Sequence, residues 1–310
     1  MLATALSAVA TALFLWWFST GLLFWLARHA RSAYGVLGLG GGILAVSLAG
    51  LAATAPVASV PAVYLSFLCG IGAWAFLEIS FLTGLITGPV KIPCPPQVRG
   101  FERFTLALGT LLWHELAILA VGVVMWVIVW GAENQVGAWA FTLLMGMRIS
   151  AKLNLFLGVP YPPSALLPTP LAHLRSYFRE RPFTPLLPAV ITTSTALATL
   201  VAWHAADPAV TAVQAVGLAL IWTLLVLGIL EHWFLILPVR EGALWSWFTG
   251  LPAGDGAPQG RPHGAPDRVK ASASATRETA PTYLPGLNGS KTTETKPSAL
   301  TLPMTGTGNA

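Results

Sequence analysis

Seven apolar runs, each long enough to cross a bilayer, constrain the fold of this chain more than any other feature. A transmembrane α-helix needs about 20 predominantly apolar residues. Hydrophobic residues make up 55% of the 310 residues and charged residues only 9%, which lies outside the composition of soluble domains. The runs are Leu2–Ala27, Tyr34–Thr54, Pro61–Thr87, Thr105–Trp130, Gln135–Leu157, Leu186–Ala206 and Thr211–Leu237. We therefore predict an all-α, polytopic membrane helix bundle with about seven transmembrane helices.

The charges between these runs alternate and predict the orientation of the bundle. Basic residues follow the first, third, fifth and seventh runs, and they are Arg28, Arg31, Lys91, Arg99, Arg103, Arg175, Arg179, Arg181 and Arg240. The loops that alternate with them carry no charge or a single acid, Glu133 or Asp207. Cytoplasmic loops are enriched in Lys and Arg, so we predict a periplasmic N-terminus and a cytoplasmic C-terminus. This rule also explains the net charge of +5, and no nucleic-acid partner is predicted.

The two ends of the chain call for different interpretations. The first run lacks a basic n-region and is too long for a signal peptide, so we predict an uncleaved first span. Within it, Trp16, Trp17 and Trp25 are interpreted as interfacial or lipid-facing anchors. The stretch VREGALWSWFTG after the last run suits a segment in the headgroup region. From about Gly250 the sequence has too little apolar surface to fold. We predict a transmembrane domain over 1–249 and a disordered cytoplasmic tail over 250–310.

Ionisable residues inside the apolar runs form the strongest candidate site. Each charge at bilayer depth costs about 2.5–3.5 kcal/mol, so such residues usually face the bundle interior and pair with one another. Six of them lie at similar depth, about six to ten residues from the cytoplasmic ends of their helices. They are Glu78, His114, Glu115, Arg148, Glu231 and His232. Lys152 and Asn154 lie nearer the surface, where Lys152 can snorkel. We predict an intramembrane polar layer in which Arg148 pairs with one of the three glutamates.

Three interpretations of this polar layer remain open. It can be an ion-pair network that fixes helix packing. It can also bind iron, manganese or zinc, with a possible ligand set of Glu78, His114, Glu115, Glu231 and His232. Alternatively, His114 or His232 could be the axial ligand of a tetrapyrrole. Because neighbouring residues on a helix point about 100° apart, each His and Glu doublet cannot aim at one spot without side-chain adaptation.

Two Pro-rich loops on the predicted cytoplasmic side carry most of the basic residues. The first, GPVKIPCPPQVRG, should be a stiff element. The second contains LAHLRSYFRERP, which predicts a short amphipathic helix with Leu171, Leu174 and Phe178 on its apolar face. The basic residues predicted to contact acidic lipids, or else a cytoplasmic or membrane partner, are Lys91, Arg99, Arg175, Arg179 and Arg181.

Eight motifs, in order along the chain, resemble those of a known family. They are WWFSTG, FLEISFLTGLITGP, PCPPQVRG, LLWHELAI, NQVGAWAF, RISAKLNLFLGVP, LRSYFRERP and LEHWFLILP. On these motifs, approximately residues 10–248 resemble the PuhE family of photosynthetic complex assembly proteins. The resemblance implies a bacterium that makes bacteriochlorophyll and a location in its inner or intracytoplasmic membrane. It also implies a role in assembling the reaction centre and its core antenna, or in adjusting their pigment supply. It carries over no catalytic residue.

Three classes of function are compatible with the residues and the resemblance. The leading one is a non-catalytic assembly factor that holds an apoprotein or a pigment. Its expected partners are membrane lipids, reaction-centre or antenna apoproteins and pigment-synthesis proteins. Its expected cofactor is a bacteriochlorophyll-type tetrapyrrole or a divalent metal. The second is a membrane metalloenzyme in or beside bacteriochlorophyll synthesis that uses the intramembrane Glu and His residues. The third is a proton-coupled transporter that uses the same layer, although no internal repeat supports it.

Overall fold

The computed structural model describes residues 2–29, 32–163 and 167–238. Within these ranges seven helices are long and apolar enough to cross a membrane. They are α1 (Leu2–His29), α2 (Ala33–Thr54), α3 (Val60–Leu82), α4 (Gly100–Val129), α5 (Val136–Leu157), α6 (Leu186–Ala205) and α7 (Ala212–Phe234). The prediction of an all-α, multi-pass membrane bundle is confirmed. The predicted headgroup segment, 239–250, and the predicted tail, 250–310, lie outside the described residues.

Hydroxyl side chains mark the beginnings of three helices. Ser32 caps α2 and Ser59 caps α3, each by accepting a hydrogen bond from a backbone amide of the first turn. At α7, Thr211 and Gln214 form a capping box in which each side chain accepts from the other residue's backbone amide. Such caps satisfy backbone donors that would otherwise lack partners at a helix end. They explain why the apolar runs begin as helices at these residues.

Helix α3 lies at the centre of the bundle and contacts α1, α2, α4, α5 and α7. Where α3 crosses α5, Gly70 and Gly137 bring the two backbones together, and a Cβ at either glycine would meet backbone of the other helix. The amide of Gly137 also donates to Oγ of Ser66, at 3.0 Å. Small residues allow this close approach in membranes. The remaining helix, α6, packs mainly against α7 and barely touches α5.

The third span ends at Leu82 rather than at Thr87, where the apolar run ends. Gly84 adopts a φ of 76°, and the amides of Leu85 and Ile86 then both donate to the carbonyl of Ser80, at 3.2 and 3.0 Å. Because a left-handed residue stops an α-helix, the chain turns here. The following residues return along α4, and we call 83–90 the returning segment.

Backbone hydrogen bonds hold the returning segment against α4. The amide of Val90 donates to the carbonyl of Gly109 at 3.1 Å, and the amide of His114 donates to the carbonyl of Thr87 at 2.9 Å. A Cβ at Gly88 would collide with the backbone of α4 around Gly109. Gly109 lies about 14 Å along α4 at about 1.5 Å per residue. The segment therefore meets α4 well inside the span.

The predicted amphipathic α-helix in the second Pro-rich loop is a 3₁₀ helix, Thr169–Tyr177. Its buried side chains are Leu171, Leu174 and Tyr177. They are spaced by three because a 3₁₀ helix has 3.0 residues per turn, so Tyr177 takes the place that we predicted for Phe178. Leu171 and Leu174 pack on Phe81 and Leu82 at the end of α3. The helix is thus part of the bundle's own packing.

Candidate functional site

The ion pair between Arg148 on α5 and Glu78 on α3 lies at the centre of the predicted polar layer. Nη2 of Arg148 lies 2.8 Å from Oε2 of Glu78, and Glu78 is 7% exposed. Within the described part of the chain, Oε1 of Glu78 and Nε of Arg148 have no hydrogen-bond partner. Of the three glutamates that we considered for Arg148, Glu78 is the one that pairs with it. The pair neutralises the deepest cation of α5.

A cavity of about 120 Å³ lies beside this pair, between α1, α3, α5 and α7. The polar residues in its wall include Ser19, Thr20, Glu78, Arg148 and Glu231. Oε1 of Glu231 accepts a hydrogen bond from Nε1 of Trp16 at 3.0 Å. Trp16 therefore points into the bundle and is not the interfacial or lipid-facing anchor that we predicted. Since water occupies about 30 Å³ per molecule in the liquid, the cavity has room for a few water molecules or a very small ligand.

A second ion pair joins α4 and α5. Nζ of Lys152 lies 2.6 Å from Oε1 of Glu115 and 5.6 Å from the ring centroid of Phe81. The sequence suggested that Lys152 reaches the membrane surface. It turns inward instead, because a carboxylate and an aromatic face are available to compensate its charge.

His114 is enclosed between α4 and the end of α3. Its side chain is 0% exposed and stacks on Phe81, with ring centroids 4.5 Å apart and an interplanar angle of 27°. Neither ring nitrogen has a hydrogen-bond partner within the described residues. His114 is not in the wall of the cavity beside the Arg148–Glu78 pair. In this arrangement a macrocycle has no approach to the imidazole.

His232 belongs to a separate hydrogen-bonded chain between α7 and α5. Its Nδ1 lies 2.7 Å from the carbonyl of Gly228, and its Nε2 lies 2.8 Å from Oγ of Ser150. Because a carbonyl only accepts, Nδ1 carries a proton. Nδ2 of Asn154 donates to the carbonyl of Ser150 at 2.9 Å, and Asn154 accepts from Thr184 at 3.5 Å. Both imidazole nitrogens are therefore occupied, and the chain extends from α7 to the loop before α6.

The two His and Glu doublets diverge, as the helical spacing predicts. Glu231 faces Trp16 on α1, whereas His232 contacts Ser150 on α5. Within the described residues, no three His, Cys, Asp or Glu side chains form a group that could hold a metal ion. The predicted ligands Glu78, His114, Glu115, Glu231 and His232 are distributed over separate contacts.

Arg103 has a role that its position in the sequence did not predict. We placed it among the loop charges, but it lies in the first turn of α4 and is 4% exposed. Its guanidinium donates to the carbonyls of Phe156 and Tyr177 and lies 4.3 Å from the ring centroid of Phe156. It joins α4 to α5 and to the 3₁₀ helix. No local signal separates Arg103 from Arg99, because its partners lie far away in the sequence.

Arg103 supports a structured element that we call the inner cap, consisting of residues 91–99, 158–163 and 167–185. The amide of Cys94 donates to Oγ of Ser176 at 2.7 Å, which joins the two loops. Burial lowers the pKa of the His173 imidazole and raises the pKa of the Tyr177 phenol. The stiff connector that we predicted is therefore one half of a packed cap.

The predicted contact residues lie on this cap. Lys91, Arg99, Arg175 and Arg181 are exposed. Arg179 is half-buried, its amide donates to the carbonyl of Leu155 at 3.1 Å, and its carbonyl accepts from Val159 at 3.0 Å. The inner cap thus presents four exposed cations, and their contact with lipid or partner stays a prediction.

Sequence comparison connects this arrangement to other proteins. A family described as "Protein of unknown function (DUF3623)" matches residues 1–253. An uncharacterized 30.4 kDa protein in the puhA 5′ region of Rhodobacter capsulatus is 40% identical over 247 residues, which cover 76% of this chain and 88% of that protein. No solved structure matches the chain. Because the match includes all seven transmembrane helices, the chain belongs to the DUF3623 family of proteins of unknown function.

Proposed function

We propose that this protein is a non-catalytic membrane assembly factor for the bacterial photosynthetic reaction centre and its core antenna. It would work in the inner or intracytoplasmic membrane. The observation that carries the proposal is that motifs resembling PuhE proteins build the polar layer. FLEISFLTGLITGP supplies Glu78 and the returning segment, RISAKLNLFLGVP supplies Arg148, and LEHWFLILP supplies His232. The position of the 40% identical relative in the puhA 5′ region supports it.

The pairing within the polar layer supports a holding role over a chemical one. Arg148 and Lys152 are each held by a carboxylate, and both nitrogens of His232 contact oxygen atoms. Such a network fixes α3, α4, α5 and α7 relative to one another. The inner cap packs on these fixed helices. Its exposed cations offer a surface for reaction-centre or antenna apoproteins and for pigment-synthesis proteins.

A gene deletion tests the class of function. Loss of an assembly factor should lower the absorbance of assembled reaction centre and core antenna per cell, without a new pigment species in solvent extracts. An enzyme of bacteriochlorophyll synthesis would instead accumulate its substrate. Accumulation of a pigment intermediate in the deletion strain would therefore contradict the proposal.

Point variants test the polar layer itself. His232→Gln and His114→Gln should lower assembled reaction-centre absorbance per molecule of membrane-inserted variant. His29→Gln is the matched control, because His29 is exposed at the end of α1, outside the layer. Wild-type absorbance in both His232→Gln and His114→Gln would mean that these histidines have no part in assembly. The polar layer would then only hold the helices together.

A further inference from the structure

A second and larger cavity, which we call the lateral groove, lies between α5 and α6. Its volume is about 900 Å³, near the upper end of the roughly 300–1,000 Å³ typical of ligand pockets. The groove exists because α6 packs on α7 and barely touches α5. Trp139, Gly146 and Leu197 in its wall are exposed, so the groove opens sideways.

The groove is long and apolar in the middle. Its wall on α5 runs from Gln135 to Ser150, which is about 22 Å at about 1.5 Å per residue. Four hydroxyl residues among those described line the groove. Thr193 is exposed, and Ser150 bonds His232 and the carbonyl of Met147. The other two also have partners inside the bundle. Thr142 donates to the carbonyl of Ala138 and accepts from Trp126, and Ser194 donates to the sulfur of Met147. The middle of the groove therefore offers mainly apolar contact.

One end of the groove is polar and lacks basic side chains. Where α5 and α7 begin, the wall contains Glu133, Gln135, His204 and Gln214. No Lys or Arg lines the groove within the described residues. Glu133 is exposed there, and a carboxylate repels an anion while accepting hydrogen bonds.

The dimensions distinguish between two classes of occupant. A transmembrane helix needs about 20 residues, or about 30 Å, to cross the hydrocarbon core, whereas the wall of the groove on α5 extends for only about 22 Å. A hydrocarbon chain is far narrower, and it would also satisfy an apolar wall without needing hydrogen bonds from it.

We propose that the lateral groove binds the hydrocarbon chain of a membrane amphiphile whose uncharged head group donates hydrogen bonds to the Glu133 end. The chain lies along Gly146 towards Ser150, and the head stays beside Glu133 and Gln135. An anionic lipid is disfavoured because Glu133 faces its head and no Lys or Arg among the described residues lines the groove beside it. This site is distinct from the polar layer and does not rest on the proposed assembly function.

Two probes with the same chain test the head-group preference. The purified protein is delipidated in mild detergent and offered monoolein, which is uncharged, or oleate, which is ionised above neutral pH. Bound probe per protein is measured by mass spectrometry after gel filtration. We expect retention of monoolein to exceed that of oleate by about tenfold or more. Glu133→Gln should bring oleate retention towards that of monoolein.

A groove-filling variant tests the location. A Cβ at Gly146 meets no atom within 4 Å, so Gly146→Leu fills the groove without displacing a helix and should abolish monoolein retention. Gly42→Leu is the matched control, because Gly42 on α2 is equally open, lies outside the groove and should leave retention unchanged.

Three results would overturn this proposal. They are equal retention of monoolein by Gly146→Leu and the wild-type protein, equal retention of oleate and monoolein by the wild type, and photo-crosslinking from position 146 to a polypeptide in native membranes with no crosslink to lipid. None of these measurements depends on reaction-centre assembly. The proposal for the groove and the proposed function can therefore be refuted separately.

Discussion

At the residue scale, the guanidinium of Arg148 is paired with the carboxylate of Glu78, at 2.8 Å. The Glu78 side chain is 9% exposed and the Arg148 side chain 40%, so the pair is only partly buried. Removing one partner of a fully buried ion pair costs about 3–5 kcal/mol, whereas replacing both with apolar residues of similar volume is often neutral, and we expect a smaller loss here. We therefore expect Glu78→Gln to lower the thermal unfolding temperature in detergent, and the added change Arg148→Met to restore part of the loss, because the amide at position 78 stays polar. Glu102→Gln, at an exposed glutamate on α4, is the control. A double variant no more stable than Glu78→Gln would argue against the pair.

The two buried histidines should respond in opposite ways to the same substitution. His114 stacks on Phe81 without a hydrogen bond in the described structure, so His114→Phe keeps the stack and removes unsatisfied polar atoms that cost about 1–3 kcal/mol. Stability should stay level or rise. His232→Phe loses contacts with Ser150 and Gly228 and should lower the unfolding temperature. Equal losses in both variants would contradict this assignment.

The sequence indicates which residues belong to the polar layer, but it does not indicate which of them form pairs. Depth counting identified Arg148 and Glu78 because a charge inside an apolar run stands out. It could not pair Lys152 with Glu115, since that contact depends on the relative rotation of α4 and α5. Ser150 carries no charge and lay unnoticed, although its position four residues before Asn154 places both on one helix face.

At the scale of elements, the buried side chain of Arg103 joins the inner cap to the bundle. Arg103 bonds the carbonyls of Phe156 and Tyr177, and hydrogen bonds to charged groups contribute about 1.5–3 kcal/mol each. Arg103→Met should loosen the cap and speed trypsin cleavage after the exposed Arg175. Arg99→Met, at an exposed site, should not. Identical cleavage rates in the two variants would contradict the role of Arg103.

The returning segment predicts a second effect at this scale. A Cβ at Gly88 would collide with the backbone of α4, and overpacking of this kind typically costs about 1–3 kcal/mol. Gly88→Ala should therefore lower the unfolding temperature. Gly42→Ala meets no atom within 4 Å and should leave it unchanged or raise it. An unfolding temperature of Gly88→Ala at or above the wild-type value would refute the close approach.

Hydropathy located every span but could not find the end of α3. Residues 83–87 continue the apolar run, so only the φ of Gly84 distinguishes a turn from another helical turn. Hydropathy also could not distinguish the 3₁₀ helix from an α-helix. Leu171 and Leu174 suit either helical period, and the burial of Tyr177 rather than Phe178 decides between them.

At the scale of the whole molecule, the spans α1 to α7 put the beginning and the end of the described bundle on opposite sides of the membrane. The basic inner cap predicts which side is cytoplasmic. Alkaline phosphatase, which is active only in the periplasm, should be inactive when fused after Gly250 and active when fused after Glu133. The reverse pattern would overturn the orientation.

The returning segment also bears on biosynthesis. The carbonyl of Thr87 and the amide of Val90 have partners on α4, about 14 Å or more along that helix, where lipid supplies no replacement. When α3 leaves the ribosome, α4 has not yet been made. The carbonyl of Thr87 and the amide of Val90 therefore have no partner on α4 at that stage. We therefore expect α3 and α4 to enter the bilayer together as a hairpin, because a chain truncated between them would lack the partners of its last residues.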